Sequence, residues 1–205
     1  MSVEYNIAIV GATGNVGREI IQILEDKNFP IDQLFLLASS RSKGQTIEFK
    51  GEKLLVEDLS EFDFSKTQIA LFSPGGKISA EFAPKAAKSG CVVIDNTSYF
   101  RMKKDVPLIV PEVNAKDLES FFNNDERSNI IANPNCSTIQ MVLALKPLHD
   151  KAIINRVIVS TYQSVSGAGK DAMDELFNQT KGIYSNNNIE KNKFTKQIAF
   201  NVIPH

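Results

Sequence analysis

Short apolar runs alternate along this chain with longer stretches in which apolar residues recur every third or fourth position. Tyr5-Asn6-Ile7-Ala8-Ile9-Val10 reads as a buried strand. Residues 11–15 follow as a tight turn. A helix then runs to about residue 27, with Val16, Ile20, Ile21 and Leu24 on one face. Residues 34–38 form a second apolar strand. The resulting βαβ unit predicts two parallel strands with a right-handed crossover. Further on, Lys50-Gly51 reads as the turn of a hairpin between residues 46–49 and 53–56. Residues 69–72 read as a strand, 79–89 as an alanine-rich helix and 92–94 as a strand ending at Asp95. A short helix over 115–122 and a short strand over 130–132 complete the series.

Such alternation predicts an α/β fold of Rossmann type, a doubly wound, mostly parallel sheet covered by helices. The pattern changes near residue 133. Asn133-Pro134-Asn135 signals a turn. Residues 137–145 then read as a helix, 155–162 as a long β-branched strand and 170–181 as another helix. Residues 185–197, rich in Asn and Lys, read as a mobile surface loop. A domain boundary is expected near 132, and there is no internal repeat.

Composition narrows the class. With 42% hydrophobic and 23% charged residues, the 205-residue chain is neither disordered nor fibrous. Its length suits one large domain, or one domain and part of another. A formal net charge of −1 supplies no field to recruit nucleic acid or an anionic membrane. Residues 1–5 lack the basic and apolar regions of a secretory signal, and no apolar run approaches the ~20 residues of a membrane helix. Cys91 and Cys136 form no disulfide framework. Cys91, before an apolar strand, reads as a buried small hydrophobe. A cytoplasmic protein is the expectation.

The segment Gly11-Ala12-Thr13-Gly14-Asn15-Val16-Gly17 follows a strand and opens a helix. In that context glycines let the backbone approach a pyrophosphate, and the helix N-terminus offers N–H groups and partial positive charge. The spacing is GxxGxxG rather than GxGxxG. A tight turn without a ligand is the plainer alternative. Gly11, Thr13, Gly14, Asn15 and Val16 are the candidate contacts. An NAD site would carry Asp or Glu near the end of the second strand. Here the sequence is Ser39-Ser40-Arg41-Ser42-Lys43, with no acid. Ser40 and Arg41 suit the 2′-phosphate of NADP, because guanidinium binds phosphate in a bidentate fork. Ser73-Pro74-Gly75-Gly76 follows another strand, so Ser73 and Gly75 fall near the same crevice, unless this is an ordinary β-turn.

Asn133-Pro134-Asn135-Cys136-Ser137-Thr138 places a thiol at the start of a helix. That position favours thiolate, the form that attacks acyl carbon. A free cysteine is more often an inert core residue, but the turn before it, the helix after it and the cofactor unit upstream favour a nucleophile. Gln163, in Thr161-Tyr162-Gln163-Ser164-Val165-Ser166-Gly167-Ala168-Gly169-Lys170, could orient a carbonyl or carboxylate. Ser166 and Gly167 could let a nicotinamide approach. This stretch equally suits a well-capped helix start. Asn96 and Arg101, in Asn96-Thr97-Ser98-Tyr99-Phe100-Arg101, are candidates for phosphate or carboxylate, against the alternative of a surface arginine.

Together these segments, with Val110-Pro111-Glu112-Val113-Asn114, resemble the aspartate-semialdehyde dehydrogenase family over essentially the whole chain. The resemblance implies reduction of L-aspartyl 4-phosphate by NADPH to L-aspartate 4-semialdehyde and phosphate, at the branch to lysine, diaminopimelate, methionine and threonine. It implies that Cys136 attacks the acyl phosphate, phosphate leaves, and the thioester is reduced. Gln163 would position the substrate, Arg101 would hold its phosphate, and no metal is needed. It also implies a homodimer, with residues 1–132 as the NADP-binding domain. Residues 133–205 would begin an α+β catalytic and dimerisation domain.

Members of that family are longer, and their acid/base histidine lies in a later segment. This chain therefore resembles an N-terminal part, and neither His149 nor His205 matches the family's base. Little turnover is expected of the 205 residues alone, since acid–base catalysis typically contributes ~10²–10⁴-fold. Two alternatives stay open: a non-catalytic NADP-binding paralogue, and the sister enzyme N-acetyl-γ-glutamyl-phosphate reductase.

Overall fold

The structure is a computed structural model that describes residues 3–123 and 128–204. Its centre is a sheet of seven strands: β1 (Tyr5–Val10), β2 (Ile31–Ala38), β3 (Thr46–Phe49), β4 (Glu52–Asp58), β5 (Ile69–Phe72), β6 (Val92–Asp95) and β7 (Ile130–Ala132). Their order is β3-β4-β2-β1-β5-β6-β7. Every pairing is parallel except the β3–β4 hairpin at one edge. The expected doubly wound sheet is therefore the fold. Lys50 and Gly51, both with positive φ, form the hairpin turn.

The strands are apolar on both faces because both faces are covered. Side chains alternate across a strand. Ala8, Val10 and Leu37 face one layer with Ala83, Ala86 and Ala87 of α2 (Gly76–Lys88). Ile9 and Leu36 face the other, with Ile21 of α1 (Asn15–Asp26). Of the helix face expected to pack, Ile21 is buried and Ile20 and Leu24 are half-buried. Val16 is 46% exposed, because it sits in the first turn of α1 beyond the strand ends. Cys91 is buried, as expected. Short helices α3 (Pro111–Asn114) and α4 (Asp117–Phe122) precede β7.

The chain divides into two compact units, Met1–Val157 and Ile158–His205. Helix α5 (Cys136–Lys151) lies in the first and runs past Pro147, further than the expected 145. Helix α6 (Lys170–Tyr184) lies in the second.

Two expectations are corrected. Residues 155–162 form no strand. Their β-branched side chains favour extended backbone, but a ladder needs a neighbouring strand, and none pairs with them among the described residues. Ile158, Val159 and Tyr162 are exposed. Secondly, residues 185–197 form a largely exposed loop, as expected, but part of its backbone is tied to α6. Glu175 of α6 accepts hydrogen bonds from the backbone N–H groups of Asn192 (3.0 Å), Lys193 and Phe194 (3.4 Å). Gln179, one turn on, donates to the Glu190 carbonyl and accepts from Ile198 and Ala199. Both side chains are buried. His205 lies outside the described residues.

Candidate nucleotide and nucleophile site

Strand register decides what can meet. Val10 pairs with Leu37 and Phe72, Phe72 with Asp95, and Asp95 with Ala132. The strands therefore end level, and the residues after them emerge along one carboxyl edge. Backbone bonds continue the ladder one step beyond. Gly11 N–H donates to Leu37 (2.8 Å), Ser73 N–H to Val10 (2.9 Å), Asn96 N–H to Phe72 (2.9 Å) and Asn133 N–H to Asp95 (2.8 Å). This edge gathers the glycine loop, Ser40 and Arg41, Ser73 and Gly75, Asn96 and Arg101, and the turn before Cys136. The sheet order reverses at β1, flanked by β2 and β5. Ligand crevices of open α/β sheets form at such a point.

Two glycines of the loop are required by the protein's own packing. A Cβ at Gly11 would lie 2.9 Å from the carbonyl carbon and oxygen of Ser73. One at Gly17 would lie 2.2 Å from the Gly11 oxygen. The first contact brings the loops after β1 and β5 together, and the second seats α1 against the strand end. Two further observations fit a nucleotide. No side chain caps α1 and no acidic residue occupies its first turn, so nothing offsets its positive end. The Ser73 hydroxyl is buried beside Gly11 without a hydrogen-bond partner among the described residues, as a group awaiting a ligand would be. Arg18 donates from Nε to the Thr13 carbonyl (3.4 Å), bracing the loop. Gly75, with φ of 95°, caps α2 on the neighbouring strand end.

Ser40 and Arg41 lie in a 3₁₀ turn (Ser40–Ser42) just past β2. Arg41 is exposed and forms no ion pair among the described residues. Lys43, by contrast, is paired with Glu61.

On the other side of the switch point, Arg101 is half-buried. Its Nε donates to the Asn133 carbonyl (2.8 Å) and its Nη2 to the Asn96 carbonyl (3.0 Å). The guanidinium thus bridges the loops after β6 and β7. Two of its five N–H donors are engaged in this way, and the others can meet an anion.

Cys136 is the exposed first residue of α5. The Asn135 side chain caps that helix, accepting from the N–H groups of Ser137 (2.9 Å) and Thr138 (3.4 Å). His149 sits near the opposite end of α5, about 20 Å along the axis at 1.5 Å per residue. Its Nδ1 accepts from Ile154 N–H (3.2 Å), so it cannot serve Cys136 as a base.

Gln163, Ser166 and Gly167 belong to the second unit. There the Gln163 amide folds over Gly167, where a Cβ would lie 2.1 Å from its Nε2. Ser166 shares a hydroxyl–hydroxyl hydrogen bond with Ser164. A cavity of about 610 Å³ in this unit is lined by Asp171, Asp174, Glu175 and Glu190 together with Lys193 and amide side chains. Four carboxylates against one lysine would repel a nucleotide's phosphates, so the cavity is no rival to the strand edge.

Sequence reading missed Asp95. Its carboxylate is fully buried at the end of β6. It accepts from the hydroxyls of Ser79 (2.7 Å) and Thr97 (2.8 Å) and from Thr97 N–H (3.2 Å). The signal was available: an acid closing a buried parallel strand must find donors nearby.

Comparison with known proteins agrees with this geometry. The semialdehyde dehydrogenase NAD binding domain matches residues 6–121, and the semialdehyde dehydrogenase dimerisation domain matches 145–205. The chain is 54% identical to aspartate-semialdehyde dehydrogenase 2 of Vibrio cholerae over 204 residues, covering 100% of this chain and 59% of that protein. The crystal structure of aspartate semialdehyde dehydrogenase II complexed with ASA from V. cholerae superposes with a TM-score of 0.93 at 53% identity, over 100% of this chain and 60% of that one. The Candida albicans enzyme with NADP gives 0.62 at 26% identity, over 74% of this chain and 48% of that one. The chain thus spans about three-fifths of the length of these first two relatives. On sequence, fold and the motifs along the carboxyl edge, the chain belongs to the aspartate-semialdehyde dehydrogenase family.

Proposed function

We propose that this chain carries the NADP site and the nucleophile of an enzyme that reduces L-aspartyl 4-phosphate to L-aspartate 4-semialdehyde with release of phosphate. The common carboxyl edge carries the reading, because it sets the glycine loop and the turn before Cys136 on one side of one sheet. In this reading residues 1–132 are the NADP-binding domain. Residues 133–205 belong to the catalytic and dimerisation domain of a cytoplasmic homodimer.

Each residue then has a task. Gly11, Thr13, Gly14, Asn15 and Val16 present the α1 N-terminus to the pyrophosphate. Ser73 supplies its unpartnered hydroxyl and Gly75 the neighbouring backbone. Ser40 and Arg41 take the 2′-phosphate, which selects NADP over NAD. Ser166 and Gly167 line the nicotinamide side. Asn96 and Arg101 hold the substrate phosphate, and Gln163 orients its carbonyl. Cys136 thiolate attacks the acyl carbon, a C–S bond forms, the C–O bond to phosphate breaks, and phosphate leaves with the electron pair. NADPH, when bound, would supply hydride to the acyl carbon, and the C–S bond then breaks, releasing the semialdehyde and returning the electron pair to the Cys136 sulfur.

The test is acylation. L-Aspartyl 4-phosphate, generated in place by a kinase, should leave an aspartyl adduct on Cys136, found by peptide mass spectrometry. No adduct, or one formed instead from N-acetylglutamyl 5-phosphate, refutes the assignment.

A further inference from the structure

We propose that Asp95 and Arg101 are positioning residues for Cys136, forming one strap from the end of β6 to the first turn of α5. The inference rests on the reading of Cys136 as the nucleophile and adds the device that holds it.

The strap can be followed bond by bond within the first unit. The buried Asp95 carboxylate fixes Thr97 through both its hydroxyl and its N–H, and is itself anchored by Ser79 of α2. The Thr97 hydroxyl accepts from Tyr99 N–H (3.3 Å), which shapes the next two residues. Arg101 then closes the loop on the Asn96 carbonyl and reaches across to the Asn133 carbonyl. Asn133 lies three residues before Cys136. Pro134 and the capping Asn135 make the intervening turn stiff. The N-terminus of α5 therefore takes its place from the loop after β6. That explains a carboxylate buried with three protein donors at a strand end, where an apolar residue would cost no desolvation. It also gives Arg101 a task beyond binding an anion, since it brings a fixed cation to the turn that presents the thiol.

Alkylation by iodoacetamide at neutral pH, read by peptide mass spectrometry on the whole chain, tests the strap without substrate. Cys91 serves as the internal control. Burial pushes its thiol up, against a smaller opposing effect of the Thr97-independent Thr67 hydroxyl, and it is fully buried. It labels only on unfolding. Cys136 in the unaltered chain should react faster than free cysteine. Thr97→Val removes one donor to Asp95 and one acceptor for Tyr99, and Arg101→Lys keeps the charge but cannot span both carbonyls. Each should slow Cys136 about tenfold while Cys91 stays unlabelled. Thr97→Ser, which keeps the hydroxyl, should retain the original rate. Asp95→Asn should match Thr97→Val, and if it exposes Cys91, the Thr97 pair alone decides. A fast Cys136 whose rate stays within twofold in Thr97→Val and Arg101→Lys overturns the strap but leaves the nucleophile reading standing. A Cys136 no faster than free cysteine in the unaltered chain overturns both.

Discussion

Replacing Gly17 with alanine tests how the phosphate loop is built. The added Cβ would lie 2.2 Å from the Gly11 oxygen, 2.8 Å from the Ala12 Cα and 2.9 Å from the Gly11 carbonyl carbon. All three are backbone atoms, so no side-chain rotation relieves the clash. Ordinary carbon contacts lie at about 3.5–4.0 Å, so α1 must lift from the end of β1 by roughly 1 Å. Overpacking of this kind costs about 1–3 kcal/mol. Alanine returns at most about 1 kcal/mol in helix propensity. The net loss of about 1–2 kcal/mol predicts a Tm lower by about 2–8 °C. The same lift disturbs the Gly11 carbonyl and the N–H groups meant for pyrophosphate, so NADP affinity should fall at least about tenfold. Gly14→Ala is the control for Tm alone, because its Cβ would meet only the Gly11 oxygen at 3.3 Å and its φ is −75°. Thermal denaturation and NADP titration by calorimetry measure both quantities. A Gly17→Ala chain with unchanged Tm and NADP affinity refutes the close-packing explanation.

Three further outcomes are expected. Arg41→Ala should weaken NADP by roughly 10–100-fold, the loss of a charge-assisted phosphate contact, and leave NAD unchanged in the same titration. An equal loss for both nucleotides would remove Arg41 from the 2′-phosphate. Ser73→Ala should weaken NADP without lowering Tm, since its hydroxyl has no partner to lose; a loss of Tm alone would count against a ligand role. For Glu175, burial raises the carboxyl pKa, but the N–H groups of Lys193, Asn192 and Phe194 together hold it below the ordinary glutamate range. Its contribution to stability is then full above about pH 4.3, the unfolded value, and is lost as pH falls through the lower folded value. Hydrogen exchange at Asn192 and Phe194 should accelerate over that acidic range, and Glu175→Gln should abolish the pH dependence while weakening protection at neutral pH.

The Rossmann-type half was legible because its signals are local. Continuous apolar strands, a glycine turn before a helix and a hairpin turn at Lys50-Gly51 each state their own conformation. Most strand positions were legible too, though β2 begins earlier and β4 runs further than expected. The placement of a motif was legible where it stood on a strand end, as at residues 11–17 and 133–138. What failed was non-local. Residues 155–162 carry strand-forming side chains, but a strand exists only with a partner. The β propensity was real and the pairing was not there to be read. The helix expected over 137–145 runs on to Lys151, since the proline at 147 removes one N–H and need not end a helix of this length. The Asn-rich segment after α6 read as mobile because composition cannot reveal that Glu175 and Gln179 reach back to its backbone. Asp95 was missed although its partner Thr97 lies two residues on; only its other donor, Ser79 of α2, was non-local.

The most direct test is a titration of the isotopically labelled chain with NADP, followed by backbone amide shifts. The perturbed amides should cluster at Gly11 to Gly17, at Ser40 and Arg41, and at Ser73 and Gly75, the strand ends that one register brings level. Asn6 and Gln68, at the opposite edge, should stay still. Saturable binding that moves the opposite edge and leaves the glycine loop unperturbed would contradict the assignment.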